Sequence, residues 1–317
     1  MKNVLITGGA GFIGSHLNER LLAKGYTTIL FDNLDAYYPK EIKLRNIAEA
    51  RDNERCHFIQ ADLRNKAAIE AAFAEYKPDL VVHLAAQPGV RRSVQDPAPN
   101  IDVNITGTIN LMEVMRAAGT KKMVFASSSS IYGNSEDVPF RETMKVDLPQ
   151  SPYAATKKAC ELLGYTYHLH YDMDIWCLRF FTVYGPRQRP GMAISNFLTA
   201  LQEDREIHIY GDGSMQRDFT FIDDIIDGVE RAVERVNGYE VVNIGGSKTH
   251  SVSELCDMID RVTGRKLQRT HKPVPPGDVR ITYADTSKAK ELMDFESKVS
   301  LEEGIRRQWE WLQQTMK

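Results

Sequence analysis

A doubly wound parallel α/β sheet, followed by a smaller C-terminal α/β region, is the fold class predicted by three features of the sequence. Short β-branched apolar runs alternate with longer helical patterns through the first half. A glycine-rich loop follows the first of those runs at once. Prolines and glycines then crowd the chain beyond about residue 182.

Strands are expected at 3–6, 27–31, 56–60, 80–84, 123–126 and 175–180. They carry few charges, as strands covered on both faces do. Helices are expected at 12–24, 66–76, 100–118 and 153–170. Strand–helix alternation of this kind demands a parallel sheet with helices on both sides. Residues 1–181 are read as a first domain and 182–317 as a second, loop-rich one. The stretch 219–245, first acidic, then helical, then apolar, is expected to return to the first domain.

Composition narrows the class. Hydrophobic residues at 42% and charged residues at 26% describe a globular chain and exclude wholesale disorder. A net charge of -3 gives no reason to expect nucleic acid or an anionic membrane as partner. The four cysteines, Cys56, Cys160, Cys177 and Cys256, form no Cys-x-x-Cys pair. Scattered free thiols in a reducing compartment explain them better than disulfides or zinc. Strand-like residue runs begin at Asn3, and no apolar stretch approaches the roughly 20 residues of a membrane helix. The expected location is cytoplasmic.

Thr7-Gly8-Gly9-Ala10-Gly11-Phe12-Ile13-Gly14 spaces glycines three apart between the first strand and the first helix. Gly8 suits a tight turn, Gly11 lets backbone approach a pyrophosphate, and Gly14 lets the helix pack close to the sheet. Phe12 and Ile13 open the helix, whose free amides and partial positive charge suit phosphate. Asp32 ends the second strand, with Asn33 beside it, where a carboxylate accepts both ribose hydroxyls and repels the extra phosphate of NADP. Asp62 and Leu63 follow the third strand and are expected to flank the adenine. Leu84, Ala85 and Ala86 close the fourth strand at the cofactor edge. A lone glycine turn is weak evidence, but strand, helix and acid in register predict a Rossmann-type fold binding NAD.

Tyr153-x-x-x-Lys157 begins a helix introduced by Ser151-Pro152, so both side chains share one face. Tyrosine titrates near ~10 and is a poor base at neutral pH. A neighbouring ammonium and the positive nicotinamide favour the phenolate, which then takes a proton from a substrate hydroxyl. Lys157 also suits the nicotinamide ribose. The run Ser127-Ser128-Ser129-Ser130 follows the fifth strand, at the edge where parallel sheets hold ligands.

This combination resembles the extended short-chain dehydrogenase/reductase family over essentially the whole chain. The resemblance puts the catalytic hydroxyl at Ser128 and implies NAD-dependent chemistry on a sugar nucleotide. It also implies a homodimer through helix 101–115 and the helix of Tyr153. Sugar dehydratases of the family carry Asp-Glu after the catalytic threonine, because eliminating water needs a further acid and base. Here those positions are Ser129 and Ser130. The decarboxylases of the family carry Glu at the second position, again absent. Epimerisation remains: oxidation at one carbon, rotation of the ketone, and hydride return to the opposite face.

Residues 179–190 resemble UDP-glucuronate 4-epimerases, with Thr182 where UDP-galactose 4-epimerases usually have Asn. A short threonine and a guanidinium suit a carboxylate. Arg189 is the stronger candidate for that guanidinium and Arg187 the alternative, since plant members have Trp at the latter position. Gly191 departs from the motif's usual Asp. Gly89, Val90 and Arg91 are a further resemblance and are expected, with Ser129, at the sugar. Arg217, and Asp278 with Arg280, match positions that clamp the UDP pyrophosphate. The expected reaction is C4 epimerisation of UDP-glucuronate. A UDP-glucose/UDP-galactose 4-epimerase and a non-catalytic NAD(H)-binding regulator are the alternatives. No metal is expected, because His168-x-His170 lacks a third ligand, and His83 reads as a core polar group.

Overall fold

The computed structural model describes residues 2–315. In chain order the strands are β1 Asn3–Thr7, β2 Thr27–Asp32, β3 Cys56–Gln60, β4 Leu80–His83, β5 Lys122–Ser128, β6 Asp174–Phe180, β7 Thr182–Tyr184, β8 Ile207–Tyr210, β9 Gln216–Arg217, β10 Phe219–Phe221, β11 Tyr239–Ile244, β12 His250–Ser251 and β13 Arg269–Lys272. One parallel sheet runs β11-β6-β5-β4-β1-β2-β3. Its order reverses between β1 and β4, and open parallel sheets hold their ligands beyond the strand ends at that point.

Alternation along each strand sends neighbouring side chains to opposite faces. Val4, Ile6, Leu30, Val82, Val124 and Leu178 pack with Leu17 and Leu21 of helix Phe12–Ala23 and with Ile225 and Val229 of helix Ile222–Arg235. Leu5, Ile29, Val81, Phe125 and Ile175 belong to the opposite layer, with Phe73, Leu111, Met115 and Cys160. Each such burial contributes roughly 1.5–3 kcal/mol, which fixes the sheet edge from which the site is built.

Three local differences from the sequence expectation matter for the site. β5 runs on to Ser128, so this serine ends a strand and is held by the sheet. The helix expected at 100–118 is broken: Ala98–Asn100 is followed by a widened π turn, Ile101–Thr106, and then by Gly107–Ala118. Buried polar groups explain the break. Asn100 and Asn104 both donate to the carbonyl of Gln87, at 2.7 and 3.3 Å, and the Asn104 carbonyl accepts from the thiol of Cys160. A short helix, Val90–Gln95, also forms where no element was expected.

Beyond β6 the chain builds small two-stranded pairings, β7 with β10 and β8 with β13 in parallel, and β9 with β12 antiparallel. Tyr239–Ile244 re-enters the main sheet beside β6. Asp218 ties these loops together, accepting from Gly246 N at 2.7 Å and Ala284 N at 3.0 Å. Burial pushes its carboxyl up to about 6. Among the described residues no helix is long and apolar enough to cross a membrane.

Candidate active site

A cavity of about 510 Å³ opens along the C-terminal edge of the sheet, between it and the loops of the second half. One end is made largely of main chain. Gly8 has φ +68°, and a Cβ there would lie 2.9 Å from Ala85 N. A Cβ on Gly14 would press on the Gly8 carbonyl and lie 2.8 Å from Gly9 Cα. Only glycine leaves this cradle open, and Gly11, Phe12 and Ile13 complete its wall. The Asp32 carboxylate accepts from Ala10 N at 3.1 Å and Leu34 N at 2.8 Å. An ionised carboxylate offers about four acceptor sites, so capacity for ribose hydroxyls is left. Burial raises its pKa, opposed by Lys43, whose Nζ lies 3.9 Å away.

Asn33 donates to Asp62 at 2.8 Å, and Arg64 holds the Asp62 carboxyl well below the usual range. Leu63, Leu84, Ala85 and Ala86 line the same end. A glycine cradle beside a helix N-terminus, with a carboxylate at the neighbouring strand end, fits a dinucleotide.

The middle of the cavity holds the reactive groups. Ser151 caps helix Pro152–Tyr171 by accepting from Ala154 N at 3.2 Å, which sets Tyr153 and Lys157 one turn apart on the cavity side. Lys157 Nζ donates to the Ala126 carbonyl at 2.7 Å and lies 6.0 Å from the Tyr153 ring centre. Burial lowers its pKa to about 8. Burial also raises the Tyr153 phenol, while the Ser128 hydroxyl and the charge of Arg189 pull it back down. Ser128 Oγ accepts from Ser130 N at 3.2 Å and from Ser130 Oγ at 2.9 Å. Both bonds fill acceptor sites, so the Ser128 proton remains for donation into the cavity. Ser129 lines the wall beside it.

Asn104 is a residue of this neighbourhood that sequence reasoning missed. Its side chain accepts from Gln87 N at 2.7 Å and donates to Thr156 Oγ1 at 3.0 Å, joining the fourth-strand loop to the Tyr153 helix. A polar residue between Val103 and Ile105 in the expected helix was the available signal.

The far end is built from side chains. Gly89, Val90, Thr182, Arg189, Arg217 and Asp278 line it, with Tyr37, which the sequence did not single out. Arg217 is drawn in and donates to the carbonyls of Gln216 and Arg280 at 2.8 and 3.3 Å; burial lowers its pKa. Three expected substrate residues lie outside the lining. Arg187 has φ +64°, a left-handed turn that sends its guanidinium to Glu19 at 2.7 Å. Arg91 is exposed at the rim, paired with Asp278 at 2.7 Å and set over the Tyr210 ring. Arg280 is exposed, because its carbonyl accepts from Gln216 N at 2.9 Å and turns the side chain outward.

His83 lies between Thr7 and Thr108, at 2.6 and 2.9 Å, beneath the glycine loop. His168 Nδ1 bonds to the Met173 carbonyl. Among the described residues no group of His, Cys, Asp and Glu is arranged to hold a metal ion.

With this geometry in place, comparison with known proteins decides the family. Residues 5–308 match the model of the GDP-mannose 4,6 dehydratase family. The chain belongs to that family. Within it, this chain is 44% identical over 312 residues to a UDP-glucuronate 4-epimerase of Thermodesulfobacterium geofontis, covering 98% of this chain and 96% of the relative. The UDP-glucuronic acid 4-epimerase of Bacillus cereus, solved with UDP-glucuronic acid and NAD, superposes with a TM-score of 0.93 at 36% identity and 99% coverage of both chains. A UDP-glucose 4-epimerase of Thermotoga maritima, solved with UDP-glucose, gives 0.92 at 35% identity, covering 99% of this chain and 100% of that one. The family description names a dehydration, yet this member has serines where water elimination needs an acid pair.

Proposed function

We propose that this protein is an NAD-dependent UDP-sugar 4-epimerase whose substrate is UDP-glucuronate. The observation that carries the reading is a single cavity joining the glycine cradle, Ser128 with Tyr153 and Lys157, and the guanidinium of Arg189. Serines in place of acids at 129 and 130 direct it away from dehydration.

Tyr153 takes the proton of the sugar C4 hydroxyl as its phenolate, favoured by Ser128 and by the Arg189 charge. Lys157, anchored to the Ala126 carbonyl 2.7 Å away, stands 6.0 Å from the Tyr153 ring centre, where it can hold the nicotinamide ribose. Ser128, whose own hydroxyl proton is free, gives the C4 oxygen a hydrogen bond as that oxygen becomes a carbonyl and keeps its proton throughout. Bound NAD supplies a reversible hydride acceptor, and the glycine cradle with Asp32 would hold it. Tyr153 returns its proton when the turned ketone is reduced on its other face. Thr182 and Arg189 hold the carboxylate, and Arg217 the diphosphate.

The division of labour we propose assigns residues 1–181 and 219–245 to the cofactor and the remainder of 182–317 to the sugar nucleotide. A homodimer is supported by the exposed apolar residues Leu162, Tyr165 and Leu169 on one face of the Tyr153 helix and by Ile101 nearby in the fold. Four buried free thiols support a reducing, cytoplasmic location.

Incubation of purified protein with UDP-glucuronate and, separately, UDP-glucose tests the assignment. The expected result is UDP-galacturonate from the first, with little conversion of the second. Preferred conversion of UDP-glucose to UDP-galactose would replace the substrate assignment with the neutral one.

A further inference from the structure

Arg189 is one of the charged groups at the sugar end, with Arg217 and Asp278, yet its hydrogen-bond partner among the described residues is not a carboxylate. Arg189 Nη1 donates to the hydroxyl of Tyr37 at 3.3 Å. The same guanidinium lies 5.2 Å from the centre of the Tyr37 ring, and Arg92 lies 4.9 Å from it. Tyr37 comes from the loop after β2, in the cofactor half of the chain, whereas Arg189 comes from the loop after β7.

That tyrosine is held firmly. Its amide donates to Asp35 Oδ1 at 2.8 Å, the Asp35 amide donates to Asn33 Oδ1 at 2.9 Å, and Lys43 clasps the Asp35 carbonyl at 3.0 Å. Gly89 passes close to it with φ +109°, and a Cβ there would meet the Tyr37 hydroxyl at 3.0 Å. The Arg189 loop is itself fastened to the first helix, where His16 bonds the Pro186 carbonyl at 3.0 Å and Arg187 pairs with Glu19.

We propose that Tyr37 is a positioning residue that sets Arg189 for an acidic sugar and so determines preference for uronate over neutral hexose. The inference rests on the reading of Arg189 as the carboxylate contact. Its physical basis is the neutrality of the partner. A carboxylate on Arg189 would order the side chain but cancel the charge the substrate needs. A phenol restricts the long, flexible arginine through its oxygen and its ring face and leaves the charge intact. Tyr37 is fixed before substrate arrives, so less side-chain freedom is lost on binding.

Titration calorimetry on the NAD-loaded protein tests this with UDP-glucuronate and UDP-glucose as separate ligands. Tyr37→Phe keeps the ring and removes the oxygen; it is expected to weaken UDP-glucuronate about 3- to 10-fold and UDP-glucose less than about twofold. Tyr37→Leu, which also removes the ring, extends the uronate loss to roughly 10- to 50-fold. In an Arg189→Ala background, Tyr37→Phe is expected to have no further effect on either ligand. If Arg189→Ala is selective for the uronate while Tyr37→Phe is silent, weakens both ligands equally or adds its full factor in the double variant, the role of Tyr37 is overturned and that of Arg189 stands. If Arg189→Ala weakens both ligands equally, the carboxylate reading falls and takes this inference with it.

Discussion

The two ends of the cavity are built from different materials. At the glycine end the wall is main chain, packed so closely that a single added methyl group meets backbone. At the sugar end it includes long side chains, Arg189 from a loop and Arg217 from β9, held by Tyr37 and by main-chain carbonyls. A surface made of backbone is set by the fold and tolerates little change in side chains. A surface made of arginines is where a substrate is chosen, since one substitution re-aims it.

The contrast is sharpest in Gly14→Ala. A methyl here is pressed against the Gly8 carbonyl and lies 2.8 Å from Gly9 Cα, neither of which is a flexible side-chain end. Loss of NAD retention is expected to be complete, with destabilisation of about 1–3 kcal/mol or more. A purified variant that still carries NAD, read by its absorbance after denaturation, would show that the cradle is looser than described. Tyr153→Phe removes the proton acceptor and keeps the ring, so turnover is expected to fall about 10²–10⁴-fold with NAD retained. Near wild-type turnover would reassign the base.

Arg189→Ala probes the other end. Removing one charge-assisted contact costs about 1.5–3 kcal/mol, so kcat/KM on UDP-glucuronate is expected to fall roughly 10- to 150-fold. Residual UDP-glucose turnover is expected to change far less. Oxidation at C4 leaves a ketone β to the C5 carboxylate, and a carboxylate no longer held out of alignment with that ketone loses carbon dioxide. Pentose nucleotides are therefore expected among the variant's products. Equal loss on both substrates would assign Arg189 to the Tyr153 phenolate, the fold or the diphosphate and not to the carboxylate.

A smaller effect belongs to the cofactor half and reads out in stability. Burial, and next the Lys157 charge, push the His83 pKa down to about 3 from an ordinary 6.5. The unfolded chain therefore binds a proton near 6.5 that the folded chain refuses until about 3. Stability from this group is full above about 6.5 and falls by about 1.4 kcal/mol per pH unit as pH drops towards 3. Urea unfolding at pH 7, 6 and 5 is expected to show a shallower acid decline in His83→Gln than in the natural protein. Superimposable declines would mean that His83 is not the neutral buried group described.

The same division explains what was legible in the sequence. The glycine spacing, Asp32, Tyr153 and Lys157 could be read because their chemistry is tied to strand ends and one helical turn, both visible as local patterns; Ser128 was singled out among four serines by resemblance, since the strand that carries it was expected to end at 126. The sugar end was legible chiefly by resemblance. Arg187 and Arg189 are two residues apart with the same chemistry; resemblance favoured Arg189, and the physical difference is the left-handed backbone that turns Arg187 to Glu19. Tyr37 was invisible because its partner is remote in sequence and its own loop carries no motif. Asn104 left a trace, a polar residue where a helix face should be apolar, but the π turn that uses it has no periodic signature.

In the proposed reaction the C4 hydrogen leaves the sugar and returns to it within one site. UDP-glucuronate carrying deuterium at C4 tests it most directly, with no NADH supplied to the purified protein. UDP-galacturonate that retains the deuterium at C4 is expected, with no NADH accumulating in proportion to substrate consumed. Loss of the label to solvent, or stoichiometric release of NADH with a ketosugar, would contradict it.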